Sequence, residues 1–185
     1  MKRAVAVLPI ACLIGLGVLA TLSFTAVPAG SVGIVSLFGA VSDTPLDPGL
    51  NLVNPLATVT HMTVQTQIVT MAENVPTKEG LDVHLEAAAL IRLDRTHAVE
   101  MFKTVGVSYL DKVVVPQFRS VIRTITSKHD AKDLYSAVTR TTMSTGLHKG
   151  MEDKLKSRGL IVEDTPLKKL ELPQRLHDSI EGTNT

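Results

Sequence analysis

With 185 residues, 44% of them apolar and 20% charged, the chain is long enough for one domain with a real core. Lys2 and Arg3 account for two of its 19 basic residues, leaving 17 against 18 acidic, a net of −1, which argues against the basic face that nucleic acid requires. Aromatics are 3%, Trp is absent and Cys12 is the single cysteine, which argues against base-stacking platforms, internal disulfides and any cysteine chemistry beyond the N-terminal segment.

No charged residue occurs from Ala4 to Ser42, and Ala4 to Val27 is almost wholly apolar. A bilayer-spanning helix needs about 20 such residues, so a transmembrane anchor over 4–27 is expected. Pro9 would kink it near its start, which membrane helices tolerate. Two other readings of this segment stand beside the anchor. One is a cleaved signal peptide ending at Thr25-Ala26-Val27-Pro28-Ala29; the other is a lipoprotein signal at Cys12, whose box would contain Pro9. Residues 1–3 form a short cytoplasmic N-terminus under the positive-inside tendency. The domain over 28–172 is then expected on the non-cytoplasmic side, periplasm or intermembrane space. A hairpin at Pro9 would reverse that.

Beyond the anchor, Val32 to Phe38 is rich in β-branched residues and closes on Gly39, which predicts a strand. Asp47-Pro48-Gly49 and Asn54-Pro55 are turn signals. Val59 to Val69 alternates in polarity as one half-buried strand, and Pro76 to Gly80 marks the next turn. The clearest strand follows: Leu81, Val83, Leu85, Ala87, Ala89, Ile91 and Leu93 fall on one face, Asp82, His84, Glu86, Arg92 and Asp94 on the other.

After Asp94 the period becomes helical. A short helix is predicted over His97 to Lys103, and a second from Tyr109 to Thr126 with a kink or late start at Pro116. Asp130 is a candidate N-cap. A longer helix runs from about Thr141 to Arg158, with Met143, Leu147, Met151 and Leu155 as its stripe and Gly159 as its C-terminal cap. Leu160 to Leu172 returns to extended structure broken by Pro166, and Pro173 starts a helix that is abandoned within a few residues, so 173–185 is expected as the truncated start of a C-terminal helix. The expected fold class is α+β: an antiparallel sheet with helices packed on it, behind the N-terminal membrane helix.

The search for chemistry yields no assembled site. His84 and Glu86 point the same way from a strand, but no HExxH-like run supplies further metal ligands, so they read as an exposed polar face. His61, His97, His129, His148 and His177 are scattered and read as surface residues. There is no GxSxG or SxxK, and Gly30-Ser31-Val32-Gly33 precedes a strand instead of linking a strand to a helix. Glu152-Asp153 and Glu163-Asp164 are adjacent, which points each pair apart. Gly146 and Gly150 lie beside the Met/Leu stripe. In one reading they permit close helix approach, between subunits among other places, and in the plainer reading they weaken the helix by about 1 kcal/mol each. Arg119 and Arg123, one turn apart, suit an acidic neighbour subunit or a solvated face. No catalytic, cofactor-binding or metal-binding residue is assigned, no cofactor is expected, and the chain is read as a non-enzyme.

Val27-Pro-Ala-Gly-Ser-Val-Gly-Ile-Val, Phe38-Gly and Leu46-Asp-Pro-Gly-Leu-Asn together resemble the opening of the SPFH (stomatin, prohibitin, flotillin) domain. Gln65-Thr-Gln, Val75-Pro-Thr-Lys-Glu-Gly-Leu and Val113-Val-Val-Pro-Gln-Phe-Arg-Ser resemble its prohibitin-like branch, and Ala131-Lys-Asp-Leu-Tyr and Arg158-Gly-Leu-Ile-Val-Glu-Asp continue in order. The resemblance covers about Val27 to Ile180. It implies an SPFH fold at a membrane and assembly into rings or cages that organise membrane patches and often restrain membrane proteases. It carries over no catalytic residue.

The expected function is therefore a membrane-anchored scaffold of the prohibitin type. Its expected partners are the lipid bilayer, other copies or longer SPFH-type subunits, and in a narrower alternative a membrane-bound AAA protease. No nucleic-acid partner is expected, and a hydrolase lacks a nucleophile. Prohibitin-like proteins continue past the position of Ile180 into a long coiled coil, whereas here Gly182-Thr-Asn-Thr follows, with only Leu176 and Ile180 spaced as coiled-coil positions. Without the anchor, the domain from Gly30 to Thr185 is expected to be monomeric or weakly associating.

Overall fold

The computed structural model describes residues 23–171. Lys2, Arg3, Cys12 and most of the apolar segment lie outside that range, as do His177 and the helix expected from Pro173. The class is α+β with antiparallel pairing throughout, but the strands form three small sheets and not one.

Strand β1 (Phe24–Val27) pairs with β4 (Gly49–Leu52) as a two-stranded ribbon. Phe24–Val27 was expected in the membrane anchor and is instead the first strand of the domain. Among the described residues no helix is long and apolar enough to cross a membrane.

The second sheet has the order β3–β2–β5, with β2 at Ser31–Leu37, β3 at Ala40–Val41 and β5 at Thr58–Thr63. Strands β2 and β3 are joined by Phe38 and Gly39, both at positive φ (49° and 89°), the geometry of a tight hairpin whose twist matches the strands. The single strand expected over Val59 to Val69 is two strands. After β5 the chain breaks at residues 64–66 and enters β6 (Gln67–Pro76) in a different sheet. Val64 N–H donates to Gly30 O (2.9 Å) as the last rung of the β2–β5 pairing, and from Gln67 the chain pairs with Ile91 in place of β2.

The largest sheet centres on β7 (Asp82–Leu93), paired along one edge with β6 and along the other with β8 (Leu160–Asp164) and β9 (Leu167–Glu171) end to end. Val83, Leu85, Ala87, Ala89, Ile91 and Leu93 are all buried, as the alternation predicts. Pro166, which has no N–H for a ladder, sits at the break between β8 and β9, where its carbonyl still accepts from Ala88 N–H (3.0 Å). Beside it, buried Thr165 and Ser144 exchange bonds: each hydroxyl donates to the other's carbonyl (3.2 and 3.1 Å), fixing the last helix to the sheet edge.

Helix α1 (Ala98–Thr104) follows a 3₁₀ turn at Arg95–His97. Helix α2 (Val115–Thr126) has Pro116 in its first turn and is preceded by a π turn over Leu110–Val114. A proline supplies no N–H to the preceding turn and crowds its carbonyls, and the wider π turn accommodates it. Helix α3 (Ala137–Leu155) begins four residues before the predicted start and ends through a 3₁₀ turn on Gly159, at φ 71°. Its N-cap is Ser136, whose Oγ accepts from Thr139 N–H (3.0 Å), and Asp130 caps no helix with its side chain. Phe118, Val121 and Ile122 of α2 join Met143, Leu147, Met151 and Leu155 of α3 in one core with the inner face of the β7 sheet, and Val32, Ile34 and Met62 extend it under the second sheet.

Candidate functional site

Residues of the motifs that resemble the SPFH domain are taken up as joints between elements. Gly30 adopts φ 76°, a conformation that favours glycine, and a Cβ there would fall 2.3–2.5 Å from the Gln65 side chain, which closes over this turn. A Cβ on Gly33 would lie 2.8 Å from Val27 and 3.2 Å from Leu46, where three strands meet. Gln67 Nε2 donates to the Tyr109 hydroxyl (2.5 Å); burial pushes the Tyr109 phenol above its ordinary pKa, and the Gln67 bond opposes that. Glu79 Oε1 accepts from Ala131 N–H (2.8 Å), and Lys78 pairs with Asp130 (3.9 Å), which ties the Lys-Glu-Gly turn to the segment before α3.

Charged residues are used similarly. Glu73 occupies a core-facing register between Met71 and Val75, and Arg119 of α2 meets its carboxylate at 3.0 Å. Arg119 is thus paired within the chain, whereas Arg123 is exposed. Asp47 pairs with Arg95 and Asp43 with Lys103, clamping residues 42–48 over α1. Asp94 accepts from both the hydroxyl and the backbone N–H of Thr96, which holds its carboxyl below the usual range.

The candidate metal and acid–base residues remain separate. His84 Nδ1 bonds to cross-strand Asn74 (2.9 Å) and Glu86 to Lys168 (3.6 Å). Glu163 meets Arg92 (2.9 Å) and Thr66, while Asp164 accepts from Thr165 N–H; Glu152 and Asp153 are exposed. His61 is exposed, and His97, His129 and His148 are half-buried and not fully at the surface. Among the described residues no three His, Cys, Asp or Glu gather as a metal site. A cleft of about 280 Å³ holds Ser108, His61 and Asp111 with no hydrogen bond joining them.

Of the two helical glycines, Gly150 serves close helix approach, and that approach is within the chain. A Cβ on Gly150 would lie 2.7 Å from Val121 Cγ1 of α2, so this glycine is compensated by packing, contrary to the plainer reading. At Gly146 the nearest atom is Ile125 Cδ1 at 3.4 Å, ordinary contact. Opposite signs are expected. Gly150→Val should lose about 1–3 kcal/mol by overpacking, and Gly146→Ala should gain up to about 1 kcal/mol of helix propensity. Urea unfolding of the two variants checks this; equal effects would refute the packing account.

What the fold leaves open is apolar surface, concentrated on the ribbon. The β1–β4 register places Phe24 opposite Leu52 and Ala26 opposite Leu50, and all four are exposed on one face. Val27, Thr25 and Asn51 alternate onto the other face and turn inward. The sequence reading missed this face because β1 lay hidden in the apolar run. Phe38 projects 86% exposed from its hairpin tip.

Over residues 25–185 the sequence matches the SPFH domain / Band 7 family, beginning one residue into β1. No curated protein matches the chain.

Proposed function

This chain belongs to the SPFH domain / Band 7 family, and from that premise we propose that it is a membrane-anchored scaffold of the prohibitin type. It associates with its own kind and with partner membrane proteins and carries out no reaction of its own. Proteins of this family are commonly membrane scaffolds. One observation carries the reading. The family domain begins at residue 25, directly after an uncharged apolar run whose length suits a bilayer. The prohibitin-like branch is favoured by the order of its motifs, and their use as structural joints favours a scaffold over a catalyst. Lys2 and Arg3 before the apolar run favour a non-cytoplasmic domain. Restraint of a membrane-bound AAA protease is the narrower form of this proposal and rests on the resemblance alone.

A mild-detergent extract of native membranes, resolved on a native gel and affinity-purified, tests the scaffold reading. Large assemblies with co-purifying membrane proteins are expected. A monomer that brings down no membrane protein overturns it.

A further inference from the structure

We infer that the cleft between β5 and the entry to the π turn binds a primary alkylammonium group, carried by a small free amine or by the lysine side chain of a partner. The inference goes beyond the scaffold reading and does not depend on it.

Three segments build this cleft of about 280 Å³: residues 61–63 at the end of β5, Gln67 at the start of β6, and residues 107–111. Buried groups fix its wall. Tyr109 is 3% exposed, and its hydroxyl accepts from Gln67 Nε2 (2.5 Å). Met62, also buried, lines the same cleft. Leu110 and Asp111 open the π turn, a widened geometry that recurs at functional positions.

The charge of the cleft selects a cation. Asp111 supplies a carboxylate, and no lysine or arginine lines the cleft. Asp43, Asp47, Glu73 and Glu163 each meet a cation elsewhere in the fold, whereas Asp111 is exposed and has no partner among the described residues. Lys112, the next residue, is committed elsewhere, its Nζ donating to Val105 O (3.1 Å). Burial keeps Tyr109 a neutral phenol, and His61 bonds to neither Ser108 nor Asp111. An anion would find no fixed cation here, and one carboxylate with one imidazole is too small a ligand set for a metal ion.

The hydrogen-bond inventory narrows the cation to an alkylammonium, which carries three N–H donors and no acceptor. Three acceptors in the cleft are uncommitted among the described residues: the Asp111 carboxylate, Ser108 Oγ, and the amide oxygen of Gln67, whose nitrogen is used on Tyr109. Thr63 Oγ1 is already engaged, donating to Gly30 O (3.4 Å) and accepting from Gln65 N–H (3.3 Å). Met62, Leu110 and the 55% exposed Val107 give the alkyl chain an apolar wall.

The full chain in mild detergent is titrated with n-butylammonium chloride and, in parallel, with Nα-acetyl-lysine amide, and binding is followed by ligand-observed NMR. Saturable binding that weakens with added salt is expected. n-Butanol, which has the same chain without the charge, should not saturate. Asp111→Asn keeps the shape of the side chain and should weaken binding about fivefold, the scale of an exposed ion pair. Ser108→Ala should weaken it about twofold, and Asp153→Asn, exposed on α3 and outside the cleft, should change nothing. Tighter binding of the lysine amide supports the inference with a partner's lysine as the source, and tighter binding of butylammonium supports it with a free amine. No saturable binding of either probe overturns it. So does binding that butanol matches, or an affinity unchanged in a folded Asp111→Asn variant. Each of these failures leaves the scaffold reading standing.

Discussion

Replacing Phe118 with alanine is expected to remove about 3–5 kcal/mol of stability, the usual cost of truncating a fully buried phenylalanine. Phe118 is 0% exposed and sits on the face of α2 that joins the β7 sheet and α3 in one core. The rest of α2 cannot settle into the vacated space, because Gly150 already lets Val121 approach α3 to the limit of contact and the Arg119–Glu73 pair holds the outer side. A domain of this size has roughly 5–15 kcal/mol in total, so the loss is a large share of it. At about 2–4 °C per kcal/mol, the midpoint should fall by roughly 10 °C. Phe118→Leu, which keeps most of the volume, should lose less than half as much, and Ile68→Ala on the exposed face should stay within about 0.5 kcal/mol. Circular dichroism of the detergent-solubilised full chain on heating checks the series. Equal losses at Phe118 and Ile68 would show that the core is not where the fold places it.

Local patterns carried the elements whose reasons are local. The alternation from Leu81 to Leu93 survives as β7 because both its edges are paired and one face is buried over its whole length. The Met143–Leu155 stripe survives as the buried side of α3, and Pro116 marked the entry to α2 through the demand it makes on the turn before it. The family motifs were legible as strings, but their meaning was not. That Gln65 closes over Gly30, or that Glu79 holds Ala131, depends on parts of the chain 35 and 52 residues apart.

Apart from the start of α3, which is a local matter, the misses share one cause, non-local pairing. Phe24–Val27 continues an apolar run, and only its partner Gly49–Leu52 makes it a strand. The alternation from Val59 to Val69 runs through the point where the chain exchanges its partner β2 for β7. Threonines at 139, 141 and 142 mask the start of α3, which Ser136 and Thr139 signal only as a cap pair. The exposed ribbon face was illegible for the same reason, since a face exists only once the register is known.

Substituting Gly159 with alanine should cost about 2–5 kcal/mol, and the effect divides into two parts that separate experimentally. The first is backbone: Gly159 is left-handed at φ 71°, a conformation that costs an L-residue about 1–2 kcal/mol. The second is steric: the new Cβ would lie 2.2 Å from His97 Cβ, an atom one bond from the backbone that no rotamer change can move. Overpacking of that kind adds about 1–3 kcal/mol. The site tolerates little adjustment, because Gly159 O accepts from Asp94 N–H (2.8 Å) and Leu160 begins the pairing with Leu93 in the next residue. Moving Gly159 off His97 therefore pulls β8 from β7 at their first pair. Truncating His97 to alanine removes Cγ, which is equally close at 2.2 Å, but leaves Cβ in place and should relieve only part of the clash, whereas His97→Gly in the Gly159→Ala background should recover the whole steric part and leave the backbone part. A double-mutant cycle by urea unfolding reads this directly. Full additivity between Gly159→Ala and His97→Gly would mean the two residues do not touch, and would remove the physical reason for the Arg158-Gly-Leu motif.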